Sequence, residues 1–316
     1  MAFGKADGAA SLAKTRWPQA GNPLPSARMG GARRGVFQLS KKPSNAAIFL
    51  ISFLTYLIGI FPSMVFALPS GGTVQAGSAT IDSVSSQQLT IHQATEKAII
   101  DWQEFGIESA EHVDFQLSQG GVTLNRVTGN NPSNIFGKLT SNGDLWLINP
   151  NGVLFGNNAQ VDVHGLMATT SNISNADFLS GNYNFSVPSS LSSTVVNQGT
   201  ITAAEGGLVA LVAPGVQNMG IINARLGKVS LASGRTFTVD LYGDQLINLG
   251  VDSQVMGQVT GMDGQALTSL VTNSGSIFAD GGVVRLDVNA AQNIVDRVIN
   301  MDGVIQARSV VEKNGK

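Results

Sequence analysis

The chain offers few residues that could do acid–base or metal chemistry. Its three histidines, His92, His112 and His164, are far apart, and no two stand at metal-pair spacing, so no metal site is expected. Cysteine is absent, which removes disulfides, thiolate nucleophiles and Cys-ligated zinc. Carboxylates are the better candidates. Asp240 and Asp244 frame Leu241-Tyr242-Gly243, and Asp280 and Asp287 flank a strand pattern. Paired acids on one face are the machinery of polysaccharide lyases and hydrolases, so an enzyme or a polysaccharide-binding protein is the rival reading. Against it, Asp280 falls where corner residues recur, and Asp287 alternates outward in Val-Arg-Leu-Asp-Val, so both are expected on a solvated surface. Gly206-Gly207 and Gly281-Gly282 precede no helix pattern and read as corners, not phosphate loops. Gly261-Met262-Asp263-Gly264 reads as a turn. No Gly-x-Ser-x-Gly stands in a strand-to-helix context, which leaves serine-hydrolase chemistry without support.

What remains is polar without being titratable. Asn149-Pro150-Asn151-Gly152 stands between two short apolar strand patterns, Leu145–Ile148 and Val153–Phe155. Pro fixes φ, while Asn and Gly accept positive φ, so this is a dense turn signal. Upstream, Asn131-Pro132-Ser133-Asn134 is a second, partly similar turn. Around them, Val113–Leu117 and Val122–Val127 alternate as strands. Ala98–Phe105 fits either a helix or a strand and is read as strand from its surroundings. Trp102 and Trp146 are expected in the core or its cap.

The 316 residues allow one or two domains, and the formal net charge of −2 hides an asymmetry. Eight Lys/Arg precede the apolar run that begins near Ala46, against the single acid Asp7. From Leu68 onward eleven basic residues face twenty acidic ones, a balance of −9. An acidic body excludes nucleic acid as the natural partner. Residues 1–45 have no sustained apolar period, residues 46–66 are an apolar core, and Val65-Phe66-Ala67 supplies a small residue before a cleavage point. That layout is an extended secretory signal, 1–67, cut after Ala67. A membrane anchor is the alternative, because about 20 apolar residues span a bilayer.

From about Thr194 the chain repeats. Asn197, Asn218 and Asn273 each open a unit of the form N-x-G-x-I-x-A, followed by a G-x-V-x-L stretch, and Asn300 starts a fourth copy, Asn300–Ala307. Two short strands per unit, with glycine corners at a period near 20 residues, predict a β-solenoid. Ile201, Ile222 and Ile277 should stack as one interior ladder, and Leu211, Leu231 and Leu286 as another. Ala203, Ala224, Ala279 and Ala307 should fill corners, and the asparagines should stack as an amide ladder. The step of 55 residues between Asn218 and Asn273 suggests two poorly matching rungs, through Val239–Leu249 and Val251–Val259.

Four motifs occur in order: Ala98–Phe105, Leu124–Gly129, Pro132–Gly137 and Leu147–Gly156. Together they resemble the N-terminal secretion (haemagglutination activity) domain of filamentous-haemagglutinin-type exoproteins of two-partner secretion. The likeness runs from about Leu68 to about Val310, and the domain is taken as 68–316. It implies an all-β fold, a right-handed parallel β-helix with an N-terminal cap and strands outside the helix. It implies passage through the inner-membrane export machinery and the periplasm of a Gram-negative bacterium. It implies recognition by an Omp85-type outer-membrane transporter with periplasmic domains, and delivery to the cell surface or medium. No enzymatic activity and no cofactor is implied. Asn149, Pro150, Asn151 and Gly152 match the family's second signature turn. Asn131, Pro132 and Asn134 match its first only in part. These residues are expected either to be read by the transporter or to hold a turn. Adhesive, cytolytic or toxic activity, and any host or cell-surface ligand, would belong to a longer effector region.

Overall fold

The computed structural model describes residues 68–240, 247–249, 254–291 and 294–308. The signal segment with Ala67, and also Asp244, lie outside the described residues. The described chain winds as a three-walled coil in which each wall is a stack of parallel strands.

The first wall holds His112–Leu117, Thr200–Ala203, Ile221–Asn223, Ser276–Phe278 and Val304–Gln306. The second holds Lys97–Trp102, Val122–Val127, Leu208–Ala213, Lys228–Ser233 and Val283–Val288. Two long strands, Lys138–Ile148 and Gln160–Thr169, run round the corner and serve both walls. The third wall holds Ser133–Ile135, Val153–Phe155, Thr194–Asn197, Gly215–Asn218, Ser269–Asn273 and Arg297–Met301. The ambiguous stretch near Ile99 is therefore a strand. Its Ile100 and Trp102 join the interior of the coil while Ile99 faces out. At the N-terminal end, Thr73–Ala76 pairs antiparallel with Lys97–Trp102, and Ala79–Ser85 pairs antiparallel with Gln88–Gln93, closing the stack as a cap.

Register fixes the predicted ladders. Ile201 pairs with Ile222, Ile222 with Ile277, and Ile277 with Ile305. Leu211 pairs with Leu231 and Leu231 with Leu286. Stacking at about 4.8 Å makes each rung cover the apolar side chains of the one before. It also forbids a Cβ at some corners. A Cβ on Gly220, Gly275 or Gly303 would lie 2.1, 2.0 and 2.1 Å from the carbonyl oxygen of the glycine one rung earlier.

Four expectations need correction. A rung has three strands, not two; the third wall is made of short, polar-ended strands that local pattern does not reveal. The 55-residue step adds no extra rung among the described residues, and residues 251–253 of the second expected rung lie outside them. Val216 pairs directly with Val271, Ile222 with Ile277, and Val229 with Val284, so the described residues between these strands stand outside the stack of rungs. Asn300 is not in the amide ladder. An extra residue between it and Gly303 puts Met301 opposite Asn273 and shifts Asn300 opposite Thr272. Ala307, in the last described rung, is exposed, unlike Ala203, Ala224 and Ala279.

The second wall is apolar on both faces, as parallel strands covered on both sides must be. Outside it lie Ile99, Leu124, Trp146, Ile148, Met167, Ala210 and Val212. They are covered by the helix Asn175–Ser180 and by a small antiparallel sheet of Asn184–Phe185, Phe237–Val239 and Ile247–Leu249. Ring pairs weld the cover down: Trp146 with Tyr183 at 4.7 Å, Trp146 with Phe178 at 5.4 Å, and Phe185 stacked on Phe237 at 4.3 Å. Arg126 ties the cover to the wall. Its guanidinium donates to Asp101 Oδ1 at 3.1 Å and, at 2.9 Å each, to Asn172 Oδ1, Asn175 Oδ1 and the Ile173 carbonyl. Arg126→Met keeps the stem and loses the fork. It is expected to cost about 1–3 kcal/mol. Hydrogen exchange should accelerate across Ile173–Phe185 and stay unchanged in Leu208–Ala213.

Candidate functional site

The signature turn joins the second wall to the third. Strand Lys138–Ile148 ends at Asn149, whose N–H donates to the Thr169 carbonyl of the next rung at 3.0 Å. The turn closes when the Gly152 N–H donates to the Asn149 carbonyl at 3.0 Å. Gly152 has φ +114°, a conformation that glycine adopts without a Cβ penalty. Val153–Phe155 then starts the third wall.

Asn149 is fully buried, and its side-chain amide is fully used. Its Nδ2 donates to the Asn131 carbonyl and to Ser133 Oγ, both at 3.0 Å. Its Oδ1 accepts from the Asn151 N–H at 2.9 Å and from Asn151 Nδ2 at 3.1 Å. Asn151 is half-buried, and its Nδ2 also donates to the Gly129 carbonyl at 2.9 Å. The Ser133 N–H donates to the Gly152 carbonyl at 3.0 Å. The two signature turns are thus one corner, in which Asn149 clips the loop 129–133 of one rung to the turn of the next. Ser193 Oγ donates to the Pro150 carbonyl and brings in a third rung. Pro150, Asn131 and Pro132 are exposed, and Asn131 Nδ2 donates to Glu104 Oε1 at 2.8 Å. Asn134 lies in the strand Ser133–Ile135, opposite Leu154.

Sequence reasoning passed over Ser133 and Ser193. Ser133 had a signal, since a short hydroxyl in a Pro-Ser-Asn turn is a natural partner for a buried amide. Ser193 had none, because the corner reaches it across 43 residues of chain.

The titratable candidates lie elsewhere and are held singly. His164 Nδ1 is 2.6 Å from Asp144 Oδ1, and His112 Nε2 is 2.8 Å from Thr140 Oγ1. Burial pushes His112 below the usual imidazole value, and Lys138 adds to the fall. Asp280 accepts from the Arg308 N–H at 3.0 Å and from Gln306 Nε2 at 2.8 Å, and these bonds hold its carboxyl below the usual carboxylate range. Asp287 sits 3.5 Å from Arg285 Nε. Among the described residues no three His, Asp or Glu side chains form a cluster that could hold a metal.

The family model for the TPS secretion domain matches residues 66–316. The chain belongs to the two-partner secretion domain family. Two heme/hemopexin-binding proteins of Haemophilus influenzae are similar to it. The one from strain Rd is 35% identical over 276 residues, covering 85% of this chain and 29% of that protein. The other is 34% identical over 262 residues, covering 76% of this chain and 27% of that protein. The chain thus spans less than a third of the length of these curated relatives. Among solved structures, the secretion domain of HMW1 from Haemophilus influenzae is similar at TM-score 0.61 and 30% identity, covering 77% of this chain and 60% of that one. The parallel β-helix and the resemblance read from four short motifs both hold. The two-partner secretion domain serves a dedicated partner transporter, so the part of this protein described here is an export module.

Proposed function

We propose that the chain is exported in two steps. The segment 1–67 directs it through the inner membrane and is cut after Ala67. The domain 68–316 is then recognised in the periplasm by an Omp85-type outer-membrane transporter, through that partner's periplasmic domains, and delivered to the surface or medium of a Gram-negative bacterium. The observation that carries this reading is the start of the family match at residue 66, next to the expected mature N-terminus, Leu68. The domain needs no catalytic group for this work. Asp101, Asp144 and Asp280 are tied to neighbouring side chains or backbone, which supports a structural use.

The fold supplies a physical route. Parallel pairing between distant segments nucleates slowly, which favours a chain that stays unfolded before crossing. Outside, each finished rung presents an edge that templates the next. Without cysteine no cross-link obstructs threading. The test is expression with and without the transporter. With it, extracellular protein should begin at Leu68. Equal extracellular amounts in both strains would overturn the reading.

A further inference from the structure

The signature turn contains an Asn-Gly pair, Asn151-Gly152, and a second pair, Asn142-Gly143, lies within the strand Lys138–Ile148 that leads into it. Asparagine before glycine is the dipeptide most open to side-chain cyclisation, because glycine has no Cβ to hinder its own nitrogen. The deprotonated Gly152 nitrogen attacks Asn151 Cγ. The new C–N bond forms, the Cγ–Nδ2 bond breaks, and ammonia leaves. Water then opens the succinimide at either carbonyl, giving aspartate or isoaspartate. Solvent water and hydroxide are the only co-reactants.

The folded corner restrains every atom in that step. The Gly152 N–H, which must lose its proton, donates to the Asn149 carbonyl at 3.0 Å. Asn151 Nδ2, the leaving group, is held by the Gly129 carbonyl at 2.9 Å and Asn149 Oδ1 at 3.1 Å. Asn142 is restrained in the same manner. Its Oδ1 accepts from the Leu117 N–H at 2.7 Å, its Nδ2 donates to the Leu117 carbonyl at 2.9 Å, and the Gly143 N–H donates to Ser141 Oγ at 3.1 Å.

We propose that Asn151 is a self-modification site whose deamidation is suppressed by the fold and released in the unfolded chain, so that a chain left unfolded is irreversibly weakened at its corner. Aspartate puts a carboxylate oxygen against the Gly129 carbonyl, where an N–H donor belongs. Isoaspartate also lengthens the backbone by one methylene inside a tight turn. Aged chains therefore refold with a weakened corner, without the Asn151 bonds to Gly129 and Asn149 and with only the Asn149 bonds to Asn131 and Ser133 left to clip the two turns.

The experiment needs no transporter, so its failure is separable from failure of the export reading. The purified chain, produced without the transporter, is incubated at mildly alkaline pH, folded in buffer and unfolded in urea, and deamidation is followed by peptide mapping. Conversion through rare local opening scales with the open population, so Asn151 and Asn142 should convert about a hundredfold more slowly in the folded sample. Comparable rates at Asn151 in the two samples would overturn the proposal. The urea-aged sample is then refolded and treated with protease. Chains converted at Asn151 should be depleted from the resistant fraction relative to unconverted chains in the same tube. Equal representation would overturn the claim that conversion weakens the corner.

Discussion

Replacing Asn218 with leucine is expected to destabilise the domain by about 3–5 kcal/mol, despite the similar side-chain size. Asn218 is fully buried at the centre of the amide ladder. It accepts from Asn197 Nδ2 at 2.7 Å and donates to Asn273 Oδ1 at 2.6 Å. Leucine satisfies neither neighbour. Asn197 Nδ2 is left with only the Ile221 carbonyl at 3.5 Å, and Asn273 Oδ1 loses its amide donor. A buried polar group without a partner forfeits its hydration, and two such groups outweigh the apolar gain of one leucine. The measurement is urea unfolding of Asn218→Leu beside the triple variant with leucine at 197, 218 and 273. The triple variant should recover part of the loss, because removing all partners together leaves fewer orphans. Asn300→Leu is the control. Asn300 is out of register with the ladder and bonds Asp302 Oδ2, so it should change stability by less than about 0.5 kcal/mol. A single-variant loss below that of Asn300→Leu would show that the ladder contributes nothing.

The same asparagines show what the amino-acid order reveals and what it hides. Asn197, Asn218 and Asn273 could be paired from sequence because each opens the same N-x-G-x-I-x-A unit, and the isoleucines two steps past the glycine confirm the phase. Asn300 carries one extra residue before its glycine. Pattern matching tolerates that insertion, but the strand register does not. The 55-residue gap misled for a related reason. Phe237–Val239 and Ile247–Leu249 alternate like rung strands, yet they pair antiparallel with Asn184–Phe185 and with each other. Local alternation shows that a strand is half-buried, not which sheet buries it. The candidate corner was legible as a turn from Pro150 and Gly152, and as one of a pair from Asn131–Asn134. Its closure was not, since Asn149, Ser133 and Ser193 meet only once three rungs are stacked.

That closure sets the expectation for Asn149→Ile. The substitution removes four hydrogen bonds in a fully buried position and leaves the Asn151 N–H and the Asn131 carbonyl without their side-chain partner. A β-branched chain also fits poorly at the mouth of a tight turn. The expected loss is about 3–5 kcal/mol. Asn151→Ile should cost less, about 1–2 kcal/mol, because Asn151 is half-buried and its backbone N–H is kept. Pro150→Ala should cost less than about 1 kcal/mol, since the ring is exposed and acts mainly by restricting φ. Thermal unfolding followed by β-sheet circular dichroism gives this order directly. Secretion in a strain bearing the transporter gives a second order, and comparing the two decides what the turn is for. If the asparagines act by closing the corner, extracellular yield should fall in the same sequence as stability, with normal synthesis and cell-retained Asn149→Ile protein. If the transporter reads the folded surface, Pro150→Ala should lower secretion with little effect on stability, because Pro150 is the exposed residue of the four. The burial of Asn149 favours the first result. Equal secretion of Asn149→Ile and the unaltered protein would remove the turn from the export mechanism under either reading.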